Sequence, residues 1–289
     1  MGTPDPSRAY AATAWPLRRT SGLARSCHPG PVVAVTATAG ALGAGVGLDA
    51  ARCILLVAAV LSGQLSVGWC NDAFDARRDA AAGRRGKPVA EGSVSRRTVW
   101  TAAGIAALLC VPLSLACGPP AGMVHLAAVA AAWAYNLKLK ATALSWLPYV
   151  IGFGTLPAVA ALTLPGRPGP TWWAVTAGAL LGLAAHLGDV LPDIEEDRRN
   201  GVTGLPQRLG ATATRLLLPV PLVAASAVLA FGPAGPPGPW GVATLAVAAP
   251  AALAGLLLAR TWRKAPLAAA AVVAAADVAL LLVRGTAPV

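Results

Sequence analysis

The chain has 289 residues, 56% of them hydrophobic and only 12% charged, with a mean hydropathy of +0.63, whereas soluble domains carry roughly 25% charged residues. That shortage, with repeated long apolar runs, excludes an ordinary soluble globular protein and points to a polytopic all-α membrane protein. A net charge of +11 would suit a nucleic-acid partner, but the Lys and Arg residues lie in short loops between apolar runs; that is the pattern of topogenic charge, and no nucleic-acid partner is expected. The five cysteines form no CxxC pair and the three histidines (28, 125 and 186) are scattered, so neither a zinc site nor a disulfide framework is read from them.

Residues 1–30 are polar, irregular and rich in arginine, with Asp5 their one acid. They read as a flexible cytoplasmic tail in preference to a transit peptide, and residues 31–289 as one membrane domain. Nine spans fit the remainder, near 31–48, 51–70, 98–117, 121–137, 143–163, 171–188, 215–232, 239–259 and 265–284, each close to the ~20 residues a bilayer core requires. With the N-terminus inside, 20 of the 23 Lys and Arg residues fall on the cytoplasmic side. This is a clear orientation signal and places the protein in the cell membrane, surrounded by lipid.

The second span runs into Asn71-Asp72-Ala73-Phe74-Asp75-Ala76-Arg77-Arg78-Asp79. Asp72, Asp75 and Asp79 are three and four apart, which stacks them on one helical face where like charges repel. The arrangement suits a hard divalent cation such as Mg²⁺, which takes one or two carboxylates and completes its shell with phosphate oxygens and water. The loop that follows carries Arg84, Arg85 and Lys87, cations able to hold the anion that such a metal brings. A second cluster stands at the end of the sixth span: Asp189, Asp193 and Asp197, spaced four and four, with Glu195 and Glu196 between them and Arg198 after them. Its spacing again predicts one helical face, unless Pro192, which cannot donate to the helix ladder, bends the helix or starts a new one. Four spans separate the clusters, so both face the cytoplasm. Together they describe a Mg²⁺–diphosphate site.

Asn-Asp-x-x-Asp-x-x-x-Asp at 71–79, paired with Asp-x-x-x-Asp-x-x-x-Asp at 189–197 and nine apolar spans, resembles the UbiA family of intramembrane prenyltransferases. Tyr135-Asn136-Leu137-Lys138-Leu139-Lys140 is similar to that family's tyrosine-containing helix end and basic loop. The resemblance implies nine helices around a central cavity under a cytoplasmic cap. It further implies Mg²⁺-dependent transfer of a prenyl group from an allylic prenyl diphosphate to a lipophilic acceptor, an aromatic or quinone precursor. By position, Asp72, Asp75 and Asp79 would ligate Mg²⁺ from one side and Asp189, Asp193 and Asp197 from the other. Asn71 would line the pocket where the prenyl C1 meets its acceptor, and Lys140, with Tyr135 deeper, would contact the diphosphate or orient the acceptor. Lys138 competes with Lys140 for that role, while Arg84, Lys87 and Arg198 are further candidates for the diphosphate. Gln64, seven residues before Asn71, and His186, three before Asp189, are costly intramembrane polar groups on the same stripes. Asp277, midway along the last span, has no assigned partner, and His125 reads as structural. Two other readings stay open. A terpene cyclase would ionise the same diphosphate without an acceptor, and a cation-coupled transporter would be expected to keep its acids nearer the bilayer midplane.

Overall fold

The computed structural model describes residues 20–166, 169–262 and 265–284, and among these there are helices and no strands. We label the α-helices α1 (Pro29–Gly45), α2 (Ala50–Ala81), α3 (Arg96–Ala116), α4 (Pro119–Leu137), α5 (Leu147–Thr163), α6 (Trp172–Val190), α7 (Ile194–Arg199), α8 (Leu205–Leu209), α9 (Ala211–Leu217), α10 (Pro219–Phe231), α11 (Pro239–Leu258) and α12 (Ala265–Arg284). Short 3₁₀ turns occupy Leu139–Ala141 and Leu191–Asp193. The starts follow local chemistry. Asp49 accepts from the Arg52 amide at the head of α2, and Ser95 from the Thr98 amide at the head of α3. Proline fills a first-turn position of α1, α4, α5, α10 and α11, where its missing N–H costs nothing.

Each of the nine expected apolar runs contains a helix. Five helical stretches among the described residues are long and apolar enough to cross a membrane, namely Ala50–Ala81, Arg96–Ala116, Trp172–Arg199, Ala211–Phe231 and Pro239–Leu258. Shorter apolar helices lie at Leu147–Thr163 and Ala265–Leu281. Helices adjacent in sequence pack together, and α1 touches α2, α5 and α12, so the order closes on itself. The largest core joins Leu42, Leu56, Val60, Val159, Trp173 and Leu229 from five helices. Meanwhile Ile54, Leu108, Met123, Trp172 and Leu257 stand more than 60% exposed. Large apolar side chains both inside and outside are what a lipid-facing bundle requires.

Three of the readings above meet the structure here. Residues 20–30, placed in the tail by the sequence reading, are folded: a helix covers 20–26, α1 begins at Pro29, Ser26 is fully buried and Trp69 Nε1 donates to the Leu23 carbonyl at 2.9 Å. The remainder of that tail, residues 1–19, lies outside the described residues. Asp277 finds its partner in Ser226 of α10, whose hydroxyl donates to it at 2.8 Å, and His125 bonds Ser114 at 2.8 Å across α3 and α4.

The close approach of α5 and α6 depends on Gly182. A Cβ there would lie 2.3 Å from the Tyr149 carbonyl oxygen, a backbone atom that cannot swing away. Gly182→Ala should therefore destabilise the bundle by about 1–3 kcal/mol, the usual cost of overpacking, read as a lower midpoint of thermal unfolding in detergent. An unchanged midpoint would contradict the contact.

Candidate active site

One end of the bundle gathers the C-terminal ends of α2, α4 and α6 together with the loops that follow them. Helix α2 continues unbroken through the first acidic cluster, where no glycine or proline falls between Gly68 and Gly83. Asp72, Asp75 and Asp79 share its inner face and are 1%, 6% and 1% exposed. The helix ends in a Schellman closure, with Arg84 N donating to the Asp79 carbonyl at 3.0 Å and Gly83 N to Ala80 at 3.1 Å. That closure needs a left-handed residue, which Gly83 supplies at φ 62°. It also folds Arg84 back over the helix end beside Asp79.

Each buried carboxylate faces cations from elsewhere in the chain. Lys87 Nζ stands 3.5 Å from Asp72 and 3.8 Å from Asp79. Asp75 receives the Lys140 ammonium and, at 2.9 Å, the Arg78 guanidinium. Arg84 reaches Asp79 at 3.6 Å, Glu196 at 2.6 Å and Asp197 at 3.1 Å. One guanidinium thus joins the first acidic cluster to the second across more than a hundred residues of sequence. Burial opposes the Arg84 charge, but the hydrogen bond to Glu196 and the surrounding carboxylates outweigh it and raise its pKa. At Lys140 burial prevails over Asp75 and lowers the ammonium's pKa below the usual lysine range.

The second cluster does not form one helical face. Helix α6 stops at Val190, Pro192 sits in the 3₁₀ turn and α7 begins at Ile194, so the three acids diverge. Asp189 accepts from the Tyr149 hydroxyl at 2.8 Å, Asp193 is exposed, and Asp197 accepts from Gln207 Nε2 at 2.9 Å as well as from Arg84. Beneath them the rings of Tyr135, Tyr149 and His186 pack with centroids 4.9–6.0 Å apart. His186 Nε2 meets the Ser145 hydroxyl at 3.0 Å, and its buried Nδ1 has no hydrogen-bond partner.

Among the described residues no three His, Cys, Asp or Glu side chains converge as a finished metal cage. The first cluster nevertheless holds two buried carboxylate oxygens without a hydrogen-bond partner, Asp72 Oδ2 and Asp79 Oδ1. Orphaned anionic oxygens are expensive in a buried site. They fit a hard cation whose remaining ligands arrive with a phosphate-bearing substrate, the usual habit of Mg²⁺.

The sequence model of the UbiA prenyltransferase family matches residues 32–281. The chain belongs to this family. That membership and the five long apolar stretches among the described residues make it an integral membrane protein. Its fold is similar to a UbiA homolog from Archaeoglobus fulgidus bound to GPP and Mg²⁺, with a TM-score of 0.70 at 14% identity over 90% of this chain and 97% of that one. It is also similar to the apo UbiA homolog from Aeropyrum pernix K1, with a TM-score of 0.66 at 20% identity over 90% and 98%. A digeranylgeranylglyceryl phosphate synthase gives a TM-score of 0.67 at 15% identity over 91% and 97%. No curated protein matches the sequence.

Against the UbiA-based expectations, the structure separates the two competing lysines. Lys140 turns in to Asp75 and lies 5.2 Å over the Phe74 ring, whereas Lys138 is exposed. Lys140→Ala should therefore lower turnover at least about 100-fold, the scale for losing one preorganised electrostatic partner, and Lys138→Ala should stay near wild type in the same diphosphate-release assay. Arg198 is exposed and Gln64 is half-buried two turns below Asn71. Three site residues escape the sequence reading. Asn136, buried, bonds Asn71 at 3.0 Å, and Gln207, buried, holds Asp197. His28 adopts a left-handed φ of 58° and brings Nε2 within 3.4 Å of Lys87 and 3.9 Å of Asp72. Burial and then Lys87 lower the His28 pKa, which favours the neutral ring beside that ammonium. Nothing local in the sequence singles these three out, since each acts through a contact made by folding.

Proposed function

We propose that this UbiA-family chain transfers a prenyl group from an allylic prenyl diphosphate to a lipophilic acceptor of the aromatic or quinone-precursor type, in a Mg²⁺-dependent reaction. The observation that carries the reading is the shared guanidinium of Arg84, which ties Asp79 to Glu196 and Asp197 and so draws two acidic clusters to one basic centre. Asp72 and Asp79 would hold Mg²⁺ through Oδ2 and Oδ1, the oxygens without a hydrogen bond, with Asp75, Asp189, Asp193 and Asp197 as the remaining carboxylates near that centre. When bound, Mg²⁺ supplies charge neutralisation to the diphosphate.

The chain's own residues do the rest. Arg84, Lys87 and Lys140, now paired with carboxylates, are placed to receive the diphosphate oxygens as negative charge grows on the leaving group. Asn71 and Tyr135 flank the point where the prenyl C1 loses that group. The faces of Tyr135, Tyr149 and His186 offer π density to an allylic cation and stacking surface to an aromatic acceptor. The apolar bundle beneath keeps water from the cation. After the acceptor attacks C1, the proton it loses leaves toward the polar mouth.

The reading places nine spans around the chamber, a cap formed by the loops at 82–95 and 191–210, and the N-terminus and both clusters on the cytoplasmic side of the cell membrane. The 20 of 23 basic residues that this topology puts inside support it. The deciding experiment incubates the purified full chain in detergent with Mg²⁺, a panel of prenyl diphosphates and candidate acceptors, followed by mass analysis of the extract. Diphosphate release with a prenylated acceptor is expected. Release with a cyclised hydrocarbon and no acceptor adduct would replace transferase by cyclase, and no release with any diphosphate would overturn the reading.

A further inference from the structure

We propose that Asn136 is a positioning residue that fixes the Asn71 carboxamide with its oxygen, rather than its nitrogen, turned to the site. Asn136 is 3% exposed near the end of α4 and spans one turn of α2. Its Nδ2 donates to the Val67 carbonyl at 2.9 Å, and its Oδ1 accepts from Asn71 Nδ2 at 3.0 Å. The direction of this relay follows from chemistry alone. A backbone carbonyl only accepts, so Asn136 must present its NH₂ group to Val67. Its oxygen is then the atom facing Asn71, and Asn71 must answer with its own NH₂. Turning either amide over sets two oxygens, or two N–H donors, against each other in a buried contact, and the unmade bonds would go uncompensated.

The consequence lies at Asn71. This residue is half-buried, one turn before Asp75 on the same stripe and next to Asp72. With one N–H held by Asn136, the Asn71 amide is oriented so that its carbonyl oxygen is turned to the site. An inward NH₂ would have suited a phosphate oxygen. An inward oxygen suits an electron-pair acceptor, either a hard divalent cation or an O–H of the acceptor substrate. Polar pairs between membrane helices commonly serve as plain glue. The fixed direction of this one, ending on the first residue of the acidic motif, is what glue would not require.

The role of the pairing in turnover rests on the proposed function, but the pairing itself does not, and the test keeps them apart. The melting temperatures of purified Asn71→Ala, Asn136→Ala and the double variant in detergent give the coupling between the two side chains. Less-than-additive loss is expected, and strict additivity would overturn the pairing even if the protein proves inactive. Binding of Mn²⁺ with inorganic pyrophosphate, followed by electron paramagnetic resonance, is then compared for wild type, Asn136→Leu and Asn136→Asp. Asn136→Asp keeps the size but gives up the donor to Val67. Loss of an outer partner of a metal-binding group costs about 10- to 100-fold in affinity or activity. That loss is expected in Mn²⁺ affinity if the oxygen serves a cation. It is expected in kcat or in the KM for the acceptor, with Mn²⁺ affinity kept, if it serves an O–H. Either result supports the assignment. Variants that melt lower yet keep wild-type Mn²⁺ affinity, kcat and both KM values would reduce Asn136 to a structural staple and overturn it. A wild-type protein that releases no diphosphate would overturn the proposed function instead, and coupling and Mn²⁺ binding would still judge the positioning role.

Discussion

Asp79→Asn should lower Mg²⁺-dependent diphosphate release by about 10²- to 10³-fold, the range for removing one preorganised charge partner from a reacting centre, while leaving the metal-free protein at least as stable as wild type. The two halves of this expectation have different causes. Asp79 is 1% exposed, shares a helix stripe with Asp72 and Asp75, and keeps Oδ1 without a hydrogen bond. Like charges one turn apart on a helix repel, and desolvating a carboxylate is costly. Neutralising it also strands no cation, because Arg84 keeps Glu196 and Asp197, and Lys87 keeps Asp72. Without metal, then, the substitution removes a liability. With Mg²⁺ and a prenyl diphosphate it removes an oxygen proposed to hold the ion, so any stabilisation by those ligands should shrink along with turnover. The control is Asp49→Asn at the opposite end of α2. Asp49 is an exposed helix cap paired with Arg52, asparagine caps as well as aspartate, and turnover should be unchanged. Thermal unfolding with and without the two ligands, and released diphosphate, measure both parts. Wild-type turnover in Asp79→Asn would remove the first cluster from the chemistry.

What the sequence revealed and what it hid follow from the range of the interactions concerned. The order of the helices and the shared face of Asp72, Asp75 and Asp79 were readable because both depend on spacing within a few turns of one segment. At the second cluster the spacing left two readings, one helical face or a break at Pro192, and the structure takes the break. A four-and-four spacing implies one face only along a continuous helix, and the 3₁₀ turn at Pro192 rotates Asp197 away toward Gln207 while Asp189 stays with Tyr149. Lys138 and Lys140 could not be separated in advance, since both lie in a short basic segment and the geometry of the 3₁₀ turn at Leu139–Ala141 decides which one turns inward. Asn136 and His28 were invisible for a different reason. A polar residue at a helix end is ordinarily solvated, and only the docking of α4 and of residues 20–28 against α2 buries the first and carries the second to Lys87.

Arg84→Ala should raise the KM for the prenyl diphosphate by about 30-fold, equivalent to about 2 kcal/mol, the lower end of the cost of truncating one partner in a buried, hydrogen-bonded charge group. The lower end applies because the Arg84 side chain is 20% exposed and one of its partners, Glu196, is 42% exposed. Water screens that part of the contact, so Glu196→Gln should cost no more than about 1 kcal/mol. Asp79 and Asp197, at 1% and 14%, lack that screening. Losing the guanidinium leaves Asp79 with Lys87 as its cation and takes the Arg84 counter-charge from Asp197, in the place where an incoming diphosphate would need positive potential. Lysine is no replacement. A point charge on a flexible stem cannot present Nε to Glu196, Nη2 to Asp197 and Nη1 to Asp79 together, so Arg84→Lys should recover only part of the loss. Steady-state kinetics of diphosphate release across the four proteins give the ranking, with wild type and Glu196→Gln close together, Arg84→Lys intermediate and Arg84→Ala weakest. If Arg84→Ala and Glu196→Gln were equally mild, the bridge between the clusters would be a surface ion pair and the two acidic regions would have to be joined by something else.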